Sequence, residues 1–423
     1  MAGARCGLAA AFPRGPTLRV TQADTAQAAR LMRAVYGDWS GAAGRGASSA
    51  SHSFAPRPLP RDEAAGGRYL WTDAFGVLNF VTAAARCGEV DDTGGREDAL
   101  AAALGLVVAV HDALGQPRAE ADMMPSGRPP FGGRPRRYRG LRIGKPRAAA
   151  ESDCGMGLDG MYFHYHDKWL FALARLAAEV GPHTTTGAAL ASEAVSLVKD
   201  THALWVECNK AGRPLGVRWK VNMDMSPIRG MPPTRPSSDA ISGLVAYRAV
   251  ATVARRAGTS VREDIEEECQ DMATIASALH PVVSLDSLGW GLEAWEAQWL
   301  PRLSARSEFA ESSEVVRRYA AHADAVLTLS AFENATDPRD RRSLPFRAYG
   351  SWIGARLSER ASLIDTASTL ARAAAREELH VLAHSPPAFA DGHDALASIN
   401  RVMLATALDP LAFSRHADEP DLL

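Results

Sequence analysis

Two stretches of the chain gather side chains that could do chemistry. In Arg218-Trp219-Lys220-Val221-Asn222-Met223-Asp224 polar and apolar residues alternate. An extended backbone there puts Arg218, Lys220, Asn222 and Asp224 on one face and Trp219 on the other. Such a face suits either a binding strip or a loop ion pair. The second stretch holds Tyr162, His164, His166, Asp167 and Lys168 within seven residues. On a helix, Asp159, Phe163 and His166 or Asp167 share a face, while His164 and His166 point about 200° apart. No His-x-His metal pair is therefore expected. His166 fits a general base or a ligand to a hydroxyl group, and equally a buried histidine bonded to a neighbouring helix. Asp167 and Lys168 lie in an otherwise apolar segment, where charges are costly unless partnered, so they belong to an interior or to an interhelical ion pair.

Five aspartates could act as acid or base: Asp73, Asp153, Asp159, Asp224 and Asp239, all at or just before the starts of apolar helical segments or inside a long loop. An aspartate at a helix start can instead cap free backbone N–H groups, which contributes about 1 kcal/mol. That reading competes with catalysis at Asp159 and Asp239. Asp224 is the best acid of the five, because no following helix needs it as a cap.

The elements that must position these residues are almost all helical. The 3.6-residue periodicity and the Gly, Pro and Asp punctuation predict helices over 22–37, 69–86, 96–114, 158–180, 186–208, 238–256, 261–279, 289–299, 311–331, 345–357, 363–378 and 391–406. The connections alternate in length. Long loops, 38–68, 115–157 and 209–237, follow the first, third and fifth helices, whereas short turns follow the second, fourth and sixth. Short turns make antiparallel hairpins, and loops longer than about 15 residues in a compact domain usually carry function. Even-numbered helices are apolar almost all round and suit an enclosed layer; odd-numbered ones such as Arg262–Ala273 keep a polar face. The expectation is an all-α fold, an (α/α)6 toroid of six hairpins with its long loops at one end. Residues 68–423 form this domain, and residues 1–67 supply an N-terminal helix and a flexible segment rich in Gly, Ala, Ser and Pro.

The layout, with Arg68-Tyr-Leu-Trp-Thr-Asp-Ala-Phe-Gly-Val77, Asp159-Gly-Met-Tyr-Phe-His-Tyr-His-Asp-Lys-Trp169 and Trp219-Lys-Val-Asn-Met-Asp-Met-Ser-Pro227, resembles the six-hairpin glycosidase superfamily from about residue 68 onward. The resemblance is architectural and implies a sugar site at the loop-bearing end. Glycosidic cleavage needs two carboxyl groups, about 5–5.5 Å apart for retention or about 6.5–9.5 Å for inversion. Asp224 with Asp73 or Asp159 is the expected acid/base pair. Trp71, His166, Arg218, Trp219, Lys220, Asn222 and Asp239 are the expected contacts to a small-molecule or oligosaccharide substrate. The nine tryptophans could stack on sugar faces, although core packing also explains aromatic residues in a helical barrel. A non-catalytic carbohydrate-binding or scaffold toroid is the alternative. A sugar isomerase or epimerase that uses histidines at the mouth is a further one.

Composition excludes other classes. The 423 residues are 46% hydrophobic and 23% charged, enough for a sizeable core. Lys and Arg total 47 against 49 Asp and Glu, a net charge of −2, so no nucleic-acid partner is expected. The longest apolar run, Ala99–Val110, is far shorter than a bilayer requires, so no membrane partner is expected either. The five scattered cysteines include no C-x-x-C pair. Gly155-Met-Gly-Leu-Asp-Gly160 matches G-x-G-x-x-G, but Glu151-Ser-Asp-Cys154 before it is no strand, so no dinucleotide site is expected. No P-loop, zincin or nucleophile-elbow motif occurs, and neither metal nor cofactor is expected. The arginines of 129–139 read as a solvated basic loop or an anion site. A cytoplasmic location is favoured over an organelle, which only the acid-free, Arg-bearing residues 1–23 suggest.

Overall fold

The computed structural model describes residues 20–44, 54–59, 67–116, 139–145, 158–228, 238–258, 264–278, 283–304, 313–335, 344–358, 360–384 and 396–414. The expected positions Asp153, Gly155 and Gly157, the arginines Arg134, Arg136 and Arg137, and residues 1–19 lie outside them.

The described chain is all-α apart from two small β-pairings. Its helices are α1 (Gln22–Tyr36), α2 (Leu70–Glu89), α3 (Thr93–Leu114), α4 (Phe163–Val180), α5 (Thr185–Trp205), α6 (Ser238–Arg256), α7 (Glu266–Ser277), α8 (Ser287–Ser304), α9 (Ser313–Val326), α10 (Leu329–Ala335), α11 (Pro345–Leu357), α12 (Ala361–His384) and α13 (Ala397–Leu408), followed by a 3-10 turn, Leu411–Phe413. Strand β1 (Met161–Tyr162) pairs antiparallel with β4 (Lys220–Val221), and β2 (Val206–Cys208) with β3 (Pro214–Val217).

Local chemistry sets the helix ends. Thr21 and Asp24 form a reciprocal capping box on α1, Thr184 accepts the Gly187 N–H at the start of α5, and Asp286 accepts the Gly289 N–H at the start of α8. Pro345 opens α11, where its missing N–H has no helical partner to lose. The expected helix 311–331 is split between α9 and α10. The expected helix 158–180 starts at Phe163, because Met161 and Tyr162 are drawn into the ladder with Lys220 and Val221.

Helix packing alternates along the chain between two sets of six. Helix α2 packs on α4, α4 on α6, α6 on α8, α8 on α11, α11 on α13, and α13 on α2. The remaining long helices back these six: α3 on α2, α5 on α4, α7 on α6, α9 on α8, α12 on α11, and α1 on α13. Helix α1, placed by the sequence in a separate N-terminal segment, thus packs against the last helix. Arg372 on α12 donates to Asp24, and Thr25 donates to Asp409, which also holds Arg86 of α2. Where α8 crosses α11 the backbones nearly touch: a Cβ at Gly291 would come within 2.1 Å of the Gly350 carbonyl oxygen. Only glycine permits that approach.

Phe413 fills the centre between these helices. Its ring packs on Phe75 of α2, Phe171 of α4 and Trp295 of α8, and its carbonyl oxygen accepts the indole N–H groups of Trp295 and Trp299.

Candidate functional site

The described parts of two long loops converge on the starts of α2 and α4. Leu70 N–H donates to Ile143, Ile143 N–H to Gly160, and Phe163 N–H to Trp219. Gly160, the last glycine of the G-x-G-x-x-G match, has φ +149° and lies where a Cβ would come 2.6 Å from the Val221 carbonyl oxygen. Its role is close approach to β4.

The three expected acids each have hydrogen-bond partners of their own. Asp73 is fully buried in the first turn of α2, where it accepts from the Tyr36 hydroxyl and the Tyr69 N–H and sits 3.6 Å from Arg68. Burial raises its pKa, with Arg68 opposing. Asp159, also fully buried, accepts from Arg142 at 2.7 Å and from the N–H groups of Gly144, Lys145 and Gly160. It does not cap α4, which starts four residues later. Asp224 is exposed and accepts the Ser226 N–H at 2.9 Å in a tight turn where Met225 has φ +67°. It stabilises a turn, a role that the absence of a following helix had concealed.

The alternating strip is likewise dispersed, because only Lys220 and Val221 are extended in a ladder. Arg218 turns to Glu207 at 3.1 Å, Lys220 is buried with its ammonium donating to the Leu158 carbonyl, and the Asn222 amide donates to Ser226. Asp239 is half-buried in the first turn of α6. His166 is fully buried on the far side of α4, with Nε2 3.1 Å from the Thr201 hydroxyl of α5. It therefore takes the buried role that the sequence left open.

Trp71 and Trp219, in contrast, belong to one aromatic group. Trp219 lies 5.4 Å from Tyr162, centroid to centroid, and Tyr162 stacks on His164 at 5.5 Å with only 13° between planes. His164 contacts Tyr165 at 4.8 Å and Trp71 at 5.8 Å, and the Tyr165 and Tyr69 hydroxyls are hydrogen-bonded. His164, Tyr165 and Trp219 are partly open to solvent. Trp71 is buried, and its indole N–H has no partner among the described residues.

One helical turn beyond His164, α4 presents Asp167 and Lys168. The Lys168 ammonium lies 3.2 Å from Asp167, 4.4 Å over the Trp295 ring, and donates to the Ser242 hydroxyl of α6. Glu296 and Glu293 approach from α8, with Ser242 beside both Asp167 and Glu296. Asp167 Oδ2 and Glu296 Oε2 are buried with no hydrogen-bond partner among the described residues. Unsatisfied buried oxygens are uncommon and mark either strain or a group poised for function. Burial raises the pKa of Asp167 against the pull of Lys168, raises that of Glu296 further, and pushes Glu293 up to about 7. It lowers His164 to about 3, with Lys168 and Lys145 adding repulsion.

The site is thus an aromatic face over a buried acid–base cluster shared by α4, α6 and α8. Asp167 and Lys168 were visible in the sequence as charges in an apolar helix. Glu293 and Glu296 carried the same signal, two acids three residues apart in a helix rich in tryptophan. Among the described residues no group of three or more His, Cys, Asp or Glu side chains is placed to hold a metal, and no helix is long and apolar enough to cross a membrane. In comparisons with known proteins, no protein family, no curated protein and no solved structure matches this chain.

Proposed function

We propose that the chain is an (α/α)6 toroid of the six-hairpin glycosidase kind, and that it processes a carbohydrate at the end where the long loops meet. Support for the toroid comes from the packing order, in which six enclosed helices each touch two neighbours and each has one outer helix behind it. The observation that carries the functional reading is the stacking of buried Tyr162 with His164, Tyr165 and Trp219, the last three partly open, one helical turn from Asp167 and Lys168, with Glu296 of α8 meeting Asp167 at Ser242. Aromatic faces suit the apolar faces of sugar rings. Two carboxyl groups with raised pKa beside one lysine suit a proton donor and a charged partner.

In this reading Glu296, the more strongly desolvated, holds the proton and delivers it to the leaving oxygen. Asp167, kept ionised in part by Lys168, serves as base or nucleophile. Ser242 and Lys168 orient both. Activity on a panel of aryl glycosides and oligosaccharides tests this: Glu296→Gln and Asp167→Asn should each cut turnover by about 10²- to 10⁴-fold while sugar binding persists. Unchanged turnover in either variant would remove that residue from the chemistry.

A binding toroid without catalysis is the second reading. It is favoured by the burial of Asp167, Lys168 and Glu296, each at most 2% exposed. It predicts sugar binding without turnover in the native chain.

A further inference from the structure

Helix α12 carries His380 and His384 four residues apart, so both project from one face of its last turns. Both are exposed. Their ring centroids lie 4.1 Å apart with 38° between planes, the closest approach of two rings among the described residues. His384 Nδ1 stands 2.8 Å from the His380 carbonyl oxygen. A carbonyl only accepts, so this nitrogen carries the proton, and the neutral ring keeps its lone pair on Nε2. Histidines that bind metals are commonly held in this way, because the bond from the other ring N–H fixes tautomer and ring plane. The pair also sits at the C-terminal end of a 24-residue helix, where the helix dipole favours a cation. A tetrahedral zinc that binds two imidazole nitrogens at about 2.0–2.1 Å holds them about 3.3 Å apart, near the spacing these rings already have. Val381 stands where an H-E-x-x-H motif has its glutamate, so the pair offers chelation without that base.

We infer that His380 and His384 form a chelating pair for a divalent transition cation of the zinc and copper class. No third His, Cys, Asp or Glu completes the group among the described residues, so the cation keeps water or another exchangeable ligand in its remaining positions. Imidazole nitrogen selects such ions over Mg²⁺ and Ca²⁺, which prefer oxygen. The inference is independent of the carbohydrate reading: α12 packs chiefly on α11 and α13, whereas the acid–base cluster is shared by α4, α6 and α8.

Calorimetric titration of the metal-depleted, tag-free full chain with the chlorides of Zn²⁺, Ni²⁺, Cu²⁺, Mg²⁺ and Ca²⁺ tests this. The transition ions should bind, Cu²⁺ the most tightly, with Mg²⁺ and Ca²⁺ silent. His380→Ala and His384→Ala should each weaken zinc binding by about tenfold or more, because a single imidazole cannot chelate. Both side chains are exposed, so the fold should survive either change, which far-UV circular dichroism checks. Zinc should shift the NMR signals of two histidine rings together, the same two that the substitutions remove. Proton and metal compete for the same ring nitrogen, so binding should weaken as pH falls.

Equal zinc affinity in the native chain and in the H380A/H384A double variant overturns the inference, because the zinc then bound lies elsewhere. An NMR response confined to other histidines overturns it too, as does the absence of any zinc binding. None of these results touches the carbohydrate reading.

Discussion

Asp159 meets Arg142 across 2.7 Å, with both side chains almost wholly withdrawn from water. The pair joins the loop after α3 to the approach to α4. Arg142 also donates to the Gln116 and Ala113 carbonyls, so its five N–H groups are largely committed to holding the loop. Removing one partner of a buried pair leaves an uncompensated charge and costs about 3 to 5 kcal/mol. Asp159→Ala should therefore lower the free energy of unfolding in urea by that order. A loss below about 1 kcal/mol would show that the backbone bonds alone hold this loop.

Glu293 gives stability a definite pH dependence. Its folded pKa, about 7, stands above the ordinary 4.5 because burial penalises the charged form. The folded state therefore binds the proton more tightly than the unfolded chain. The native advantage is full below about pH 4.5 and is lost as pH rises through 7, a change on the order of 3 kcal/mol. Glu293→Gln should flatten the unfolding free energy between pH 5 and 8, raising it most at the alkaline end. An unchanged slope would place the titration elsewhere.

His164 should behave in the opposite sense. Burial first, then Lys168 and Lys145, depress its pKa to about 3. The imidazole should stay neutral throughout the physiological range, and its contribution to stability should be present above about pH 6.5 and fall away as pH drops towards 3. Histidine NMR should find one ring that does not titrate between pH 5 and 8. Lys168→Met should move its titration upward, because one source of repulsion is gone.

The α8–α11 crossing should tolerate no side chain. A Cβ at Gly291 meets backbone at 2.1 Å, and one at Gly354 meets the Gly291 carbonyl oxygen at 2.4 Å. Neither obstacle is a movable side chain, so Gly291→Ala should separate the helices and destabilise the fold by about 1 to 3 kcal/mol. A thermal midpoint equal to that of the native chain would mean that the crossing widens without cost.

The helices could be read from the sequence because each carries its own periodicity: the expected 238–256 and 345–357 coincide with α6 and α11. Leu158–Tyr162 could not be read in this way, since these apolar residues fit a helix equally well and their strand partner lies some sixty residues downstream. The aspartates illustrate the same limit. Local spacing drew attention to Asp73 and Asp159, but Tyr36 and Arg142, which occupy them, approach from distant segments. Asp167 and Lys168 were legible as an interior pair because charge in an apolar helix is visible without a partner.

The position of Phe413 has a consequence for biosynthesis. Its ring and carbonyl oxygen occupy the middle of the helical assembly, against residues of α2, α4 and α8 made more than a hundred positions earlier. Helix α1 finds its main partner in α13, at the other end of the described residues. Pairing segments so far apart in sequence is slow, and the interior stays open until it happens. A nascent chain must carry an unfinished apolar centre until residues 397–414 are made, so chaperone demand should fall only once they have cleared the exit tunnel.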